Sequence, residues 1–235
     1  MLKSDNVVPL YHQLADKIRE QIVMQEYKQG DRLPSERQLA KDYNVSVITS
    51  RKALNSLEEE GLIERIQGKG TFVAIKKYNR SLNKFISFTE MCKSIGAKAG
   101  SKEIEKKIIV SNKDIAEKLE VAANSQVVYI SRLRYVDDEP MVIEKNYFNL
   151  DYAYLLNRDL DKSLFEILKN KSGFIVSDSH KTIEIVRSNF EESTLLNIPV
   201  GSPIILIESI AYLKEGEVGY VGKQLINGER FKLIL

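Results

Sequence analysis

Apolar residues recur three and four apart near the start of the chain, where Tyr11, Leu14, Ala15, Ile18 and Ile22 follow Pro9. The spacing predicts a helix with one buried stripe, opened at Pro9, since the first helical turn needs no backbone N–H. Gly30-Asp31 is expected to stop it. Ser35 then caps a second helix, with Gln38 three residues on to complete a capping box, and this helix ends near Tyr43-Asn44. Ser46 caps a third helix that runs through Arg51, Ala53, Leu54 and Leu57 to Gly61. Two short capped helices separated by a few residues make a helix-turn-helix. After Gly61 the period turns from helical to alternating. Residues 62–66 read as a strand, 67–70 as a turn and 71–73 as the returning strand.

Residues 74–84 lack periodicity and carry Lys76, Lys77 and Arg80, so they are expected to be a partly extended linker between domains. Beyond it, helical and strand patterns alternate. Helices are expected at 85–95, 112–119, 164–168 and 189–196, with Asn112 and Ser163 as caps. Strands are expected at 103–110, 126–136, 141–148, 175–186, 203–213, 218–226 and 230–234. Hairpin turns such as Asp137-Asp138 dominate the connections, which predicts a mainly antiparallel sheet with helices on it, an α+β domain.

Composition adds little beyond an ordinary globular chain. Of 235 residues, the first 80 carry 14 Lys and Arg against 11 Asp and Glu, and the net charge of the whole is +2. That basic bias is too weak to argue for nucleic acid by itself. No apolar run reaches the roughly 18–20 residues of a membrane span, and residues 1–6 have no secretory apolar core. The single cysteine, Cys92, suits a reducing, cytoplasmic setting and reads as a small apolar filler on a helix. Arg132 and Arg134 lie two apart on a strand and so share a face, where they repel unless an anion or acids compensate them. A phosphate or carboxylate ligand and ordinary ion pairing both satisfy that condition.

Five segments in order make the N-terminal part resemble the GntR family of transcription regulators. They are Pro9 to Leu14, Gly30 to Arg37, Val45-Ser46 with Arg51 to Leu54, Glu60 to Ile63, and Gly68 to Val73. The resemblance implies a winged helix-turn-helix DNA-binding domain over residues 7–73. It places Arg37 at the start of the second helix as a DNA contact, and Ser46 and Thr49 in the first turn of the recognition helix. Arg51 matches an arginine able to grip guanine or a phosphate. Lys69, flanked by Gly68 and Gly70, matches the wing tip, although a lysine on a solvated hairpin is equally ordinary. Val47 stands where many members carry arginine, and with Ile48 it offers only a methyl contact to thymine or inward packing.

The remainder, 85–235, resembles the UTRA effector-binding domain of the HutC subfamily, which has a chorismate-lyase-like fold and a role in dimerisation. The matching pieces include Ser87 to Met91, Ile130 to Arg134, Pro140 to Glu144, Ser163 to Glu166, Ile198 to Pro203 and Gly228 to Phe231. This implies an anionic effector such as a sugar phosphate, held by Arg132 and Arg134 with Thr89, Ser163 and Glu144. Phe165 replaces a common tyrosine, and Tyr220 falls where a glutamate is frequent in amino-sugar-phosphate sensors. The implied protein is a cytoplasmic homodimer, most simply a repressor, that binds near-palindromic double-stranded DNA and releases it when the effector binds.

The rival class is an enzyme of the same lyase-like fold fused to a DNA-binding module. It finds little support. His180 and Asp178 form a lone pair without a nucleophile motif. No Cys/His metal spacing and no phosphate-binding glycine loop occur, so no metal and no cofactor are expected.

Overall fold

The computed structural model describes residues 7–82 and 86–234. The chain divides into two compact units, 1–76 and 77–235. The first contains α1 (Leu10–Val23), α2 (Glu36–Asp42) and α3 (Val47–Glu59), followed by the hairpin β1 (Ile63–Ile66) and β2 (Gly70–Val73). Leu14, Ala15 and Ile18 of α1 pack on Leu39 of α2, Ala53, Leu54 and Leu57 of α3, and Ile63 and Val73 of the hairpin. One apolar stripe per helix is enough to build this core. Ser35 and Ser46 cap α2 and α3 through the backbone N–H groups of Gln38 and Thr49.

Two expectations need correction here. The first helix ends at Val23 rather than at Gly30. Residues 30–33 instead run beside β2, where Gly30 and Leu33 donate to Val73 and Thr71 and Val73 donates back to Asp31. Gln38 does not reach back to close a capping box. Its amide donates forward one helical turn to Asp42 Oδ1 at 2.6 Å.

The second unit is built on a six-stranded antiparallel sheet in the order β4-β5-β6-β9-β8-β7. Its strands are β4 (Ala99–Val110), β5 (Gln126–Val136), β6 (Glu139–Phe148), β7 (Val176–Arg187), β8 (Pro203–Leu213) and β9 (Val218–Asn227). The helices are α4 (Phe88–Ser94), α5 (Lys113–Lys118), α6 (Leu164–Ser172) and α7 (Phe190–Leu196). Asn112 and Ser163 cap α5 and α6 as expected. A 3-10 helix at Leu150–Asn157 has no counterpart in the sequence reading, because its apolar spacing matches neither the helical nor the strand period.

The stretch read as linker contains a strand, β3 (Tyr78–Ser81), paired in parallel with the final strand β10 (Phe231–Ile234). The two form a separate ribbon rather than an extension of the main sheet. Four residues are too few to show a period, and the partner lies about 150 positions away, so local pattern could not reveal it. The expected helix start at Phe85 lies outside the described residues, while Ser87 caps α4 with a full capping box through Glu90.

One face of β5 positions the site. Val128 and Ile130 join an apolar cluster with Leu164 and Leu168 of α6. Val136 joins another with Phe88, Met91 and Cys92 of α4. Arg132 and Arg134 occupy the same row between these two cores, since side chains alternate along a strand.

Candidate DNA and effector sites

In the first unit, the side chains expected to meet DNA are presented by three elements. Arg37 on α2 and Lys69 at the hairpin tip are exposed and form no ion pair among the described residues. Arg51 on α3 donates from Nε to Glu36 Oε2 at 2.9 Å, with its side chain 60% exposed. Glu36 thus takes Nε, and the two Nη groups make no hydrogen bond among the described residues, which leaves them for guanine or phosphate. Glu36 also meets Arg65 of β1 at 3.5 Å, and Arg65 meets Glu58 of α3 at 3.2 Å. This small network ties α2, α3 and the wing together. The sequence reading passed over Glu36 and Arg65, because pairs so far apart in sequence leave no local signal.

Ser46 Oγ accepts the Thr49 N–H at 3.0 Å and lies 2.8 Å from Thr49 Oγ1, so both hydroxyls are engaged in capping. Val47 and Ile48 are exposed rather than packed inward, which leaves apolar contact as their means of reading a base. Ser50 takes the inward place instead, donating to the carbonyls of Glu36 and Val47.

The two wing glycines have different reasons. Gly68 has φ +75° with open space where a Cβ would stand, and Lys69 N–H closes the turn on the Ile66 carbonyl at 3.0 Å. A positive φ at the third turn position favours glycine. At Gly70 a Cβ would come within 2.9 Å of Arg32 Nε, so this position is filled by the Arg32 side chain and is not an open approach to DNA.

In the second unit, Arg132 and Glu144 are direct cross-strand partners on β5 and β6, and Glu144 is in turn opposite Gln224 on β9. Arg132 donates from Nη2 to Glu144 Oε2 and from Nη1 to the carbonyls of Leu160 and Lys162. Arg134 reaches the same carboxylate oxygen at 3.4 Å and Thr89 Oγ1 at 3.3 Å, and its guanidinium lies 4.6 Å over the Phe88 ring. Gln224 links the carboxylate to a third guanidinium. Its amide donates to Glu144 Oε1 at 3.3 Å, and its Oε1 accepts from Arg80 Nη2.

Burial alone raises the pKa of Glu144, but Arg132 and Arg134 outweigh it and hold the carboxyl below its usual range. Desolvation pushes Arg134 and Arg80 downward, against the pull of Glu144. Three guanidiniums therefore share one carboxylate. The expectation of a compensating charge is met by a buried acid, not by surface pairing.

Two hollows adjoin this cluster and share Ser87 and Phe165 in their walls. The larger, about 420 Å3, is lined by Thr89 and Ser163, with Lys93 and Lys169 balanced by Glu90 and Glu166. The smaller, about 40 Å3, is lined by Arg80, Glu144, Lys181, Tyr220 and Gln224. Neither Arg132 nor Arg134 lines either hollow, and both are buried; Arg132 holds Glu144 and the 160–162 loop, and Arg134 holds Glu144 and Thr89. Tyr220 is also buried, its ring 5.4 Å from that of Phe165 and 5.7 Å from that of Phe148, and burial raises its pKa. The sequence reading placed Arg132, Arg134, Thr89, Glu144, Ser163 and Tyr220 in one site. The fold gathers Arg132, Arg134, Thr89 and Glu144 into one cluster, sets Ser163 in the larger hollow and puts Tyr220 in the smaller. Arg80, in the stretch expected to be a linker, and Lys181 also line the smaller hollow, and neither carries a local sequence signal for it.

Residues 10–73 match the gntR family of bacterial regulatory proteins, and residues 94–232 match the UTRA domain. The chain belongs to the GntR family and carries a UTRA domain. It is 31% identical over 99% of its length to the HTH-type transcriptional repressor NagR of Bacillus subtilis, covering 96% of that protein. It is 30% identical over 97% of its length to the mannosyl-D-glycerate transport/metabolism system repressor MngR of Escherichia coli, covering 95% of it. Among solved structures, PhnF from Mycobacterium smegmatis shares the fold with a TM-score of 0.68 at 23% identity, over 94% of this chain and 98% of that one. This GntR-family chain is a DNA-binding transcription regulator and not an enzyme, and its α+β architecture is the one expected from the sequence. His180 and Asp178 are exposed on β7 and belong to neither hollow. Among the described residues no helix is long and apolar enough to cross a membrane.

Proposed function

We propose that this protein is a cytoplasmic, homodimeric repressor of the HutC branch that leaves a near-palindromic operator when a small anionic metabolite, such as a sugar phosphate, enters its UTRA domain. The observation that carries the reading is the buried cluster of Arg80, Arg132 and Arg134 around the single carboxylate of Glu144, beside a hollow large enough for a phosphorylated metabolite. An uncompensated excess of buried positive charge is costly, and an anion relieves it. Thr89 and Ser163 line the hollow where the phosphate sits, and Arg134, buried behind Thr89 with its Nη2 on Thr89 Oγ1, supplies positive charge from behind.

The names of NagR and MngR, both repressors, support repression as the output. Exposed Ile185, Phe190 and Val200 give the second unit apolar surface for a second copy. On the DNA side, Arg37, Arg51 and Lys69 engage the duplex, with Ser46 and Thr49 at the head of the recognition helix and the Gly68 turn shaping the wing. A ligand changes operator affinity only if it prefers one conformation of the protein.

A thermal-shift screen of the full chain against sugar phosphates and small organic acids tests the effector part. Ligands that bind the native state raise the melting temperature. Phosphorylated compounds are expected to do so, and a response confined to uncharged compounds contradicts the reading.

A further inference from the structure

The smaller hollow sets Lys181, which lies outside the arginine cluster, beside Arg80 of that cluster. Lys181 of β7 enters it and donates to the Leu82 carbonyl at 3.1 Å, with no carboxylate partner among the described residues. Arg80 of β3 enters from another side, its Nη2 spent on Gln224. Its Nη1 is sealed from solvent without a hydrogen-bond partner. The Nε atoms of Arg132 and Arg134 are buried unpaired as well, but of the three arginines only Arg80 lines a hollow that an acceptor can enter. Desolvation first and Arg80 second push the Lys181 pKa down, against a smaller upward pull from Asp178. Among the described residues Glu144 is the one carboxylate lining the hollow, and it is already shared with Arg132 and Arg134.

At about 40 Å3 the hollow accepts a few waters or one small anionic group, not a whole metabolite. Its shared wall with the larger hollow, at Ser87 and Phe165, puts it within reach of a ligand seated there. Ser209 and Tyr220 add hydroxyls to the lining.

We propose that Arg80 and Lys181 form a second anion subsite, so that the effector carries a carboxylate for this end as well as a phosphate for the Thr89–Arg134 end. The effector class is then a phosphorylated acid rather than a neutral sugar phosphate. The proposal rests on the anionic-effector reading and narrows it. Because Arg80 lies on β3, four residues beyond the end of the DNA-binding unit, a carboxylate gripping it pulls on the segment that leads to that unit.

The test compares matched ligand pairs on the full chain by calorimetry. One pair is 3-phosphoglycerate against glycerol 3-phosphate, and the other is 6-phosphogluconate against glucitol 6-phosphate. In each pair only the first member has the carboxylate. At least one carboxylated member is expected to bind about tenfold more tightly than its neutral-ended counterpart, the worth of one charge-assisted contact. In Arg80→Gln and Lys181→Met that advantage disappears, and in Lys181→Met the neutral-ended ligand keeps its affinity. If Arg80→Gln does not fold, Lys181→Met and Lys181→Gln carry the comparison. Equal binding within both pairs, or an advantage that survives both substitutions, overturns the second subsite and leaves the phosphate site standing. Failure of all four compounds and of inorganic phosphate to bind removes the phosphate reading, and the proposal with it.

Discussion

Arg132 on β5 faces Glu144 on β6 as its direct cross-strand partner, and both side chains are sealed from water. The pair sits in the middle of a row whose ends are apolar, so neither charge has solvent to fall back on. Arg134 and, through Gln224, Arg80 lean on the same carboxylate. Removing that carboxylate strands three guanidiniums. Breaking a buried pair by deleting one partner costs about 3–5 kcal/mol. Glu144→Ala is therefore expected to lower the unfolding free energy of the second unit by about that amount in chemical denaturation. A loss below about 1 kcal/mol would mean that water reaches the cluster.

The same carboxylate sets an acid limit. Its folded pKa is lowered by Arg132 and Arg134 against the upward push of burial, while in the unfolded chain it titrates near about 4.3. Its contribution is fully present above the unfolded value and is lost as pH falls through the folded one. Melting temperature followed from neutral pH downward should drop below about pH 4.3, and the drop attributable to this group should be absent in Glu144→Gln.

On the DNA side, Arg51 gives its Nε to Glu36 and keeps both Nη groups without a hydrogen bond among the described residues. Arg51→Ala should weaken specific binding by about 1–3 kcal/mol if the fork grips guanine. Lys69→Ala, at the wing tip, should weaken binding to all sequences alike and reduce the salt dependence by about one counterion. Anisotropy titrations at several salt concentrations separate the two effects. Equal loss of specific and non-specific binding in Arg51→Ala would assign that residue to the phosphates.

Cys92 is fully buried on α4, and desolvation pushes its thiol up to about 11. It should resist a thiol-modifying reagent in the native protein and react fully once the protein is denatured. Rapid native labelling would show that the α4 core opens.

The parts legible in the sequence were those fixed by local period and capping. Ser35, Ser46, Asn112 and Ser163 all cap the helices expected of them, and 126–136 is a strand from end to end. The parts hidden were those set by distant partners. β3 exists because Phe231 and its neighbours pair with it, and Arg80 becomes a lining residue only through that pairing. Likewise, Gly70 is legible only as a flank of the wing tip, whereas the structure shows that Arg32, 38 positions away, fills the space a Cβ would take. Arg132 was legible as half of a cationic pair. That it lies behind Glu144 and not in front of a ligand depended on the register of β5 against β6.

The most direct test of the whole account measures operator affinity with and without ligand. The full chain is titrated onto a DNA fragment it selects from genomic DNA, in the absence and presence of the phosphorylated acid giving the largest thermal shift. Allosteric coupling of the usual size predicts a fall in affinity of about 5–150-fold. Arg134→Gln should retain the ligand-free affinity and lose the fall. An affinity indifferent to ligand, or a fall undiminished in Arg134→Gln, contradicts the coupling of this anion site to DNA release.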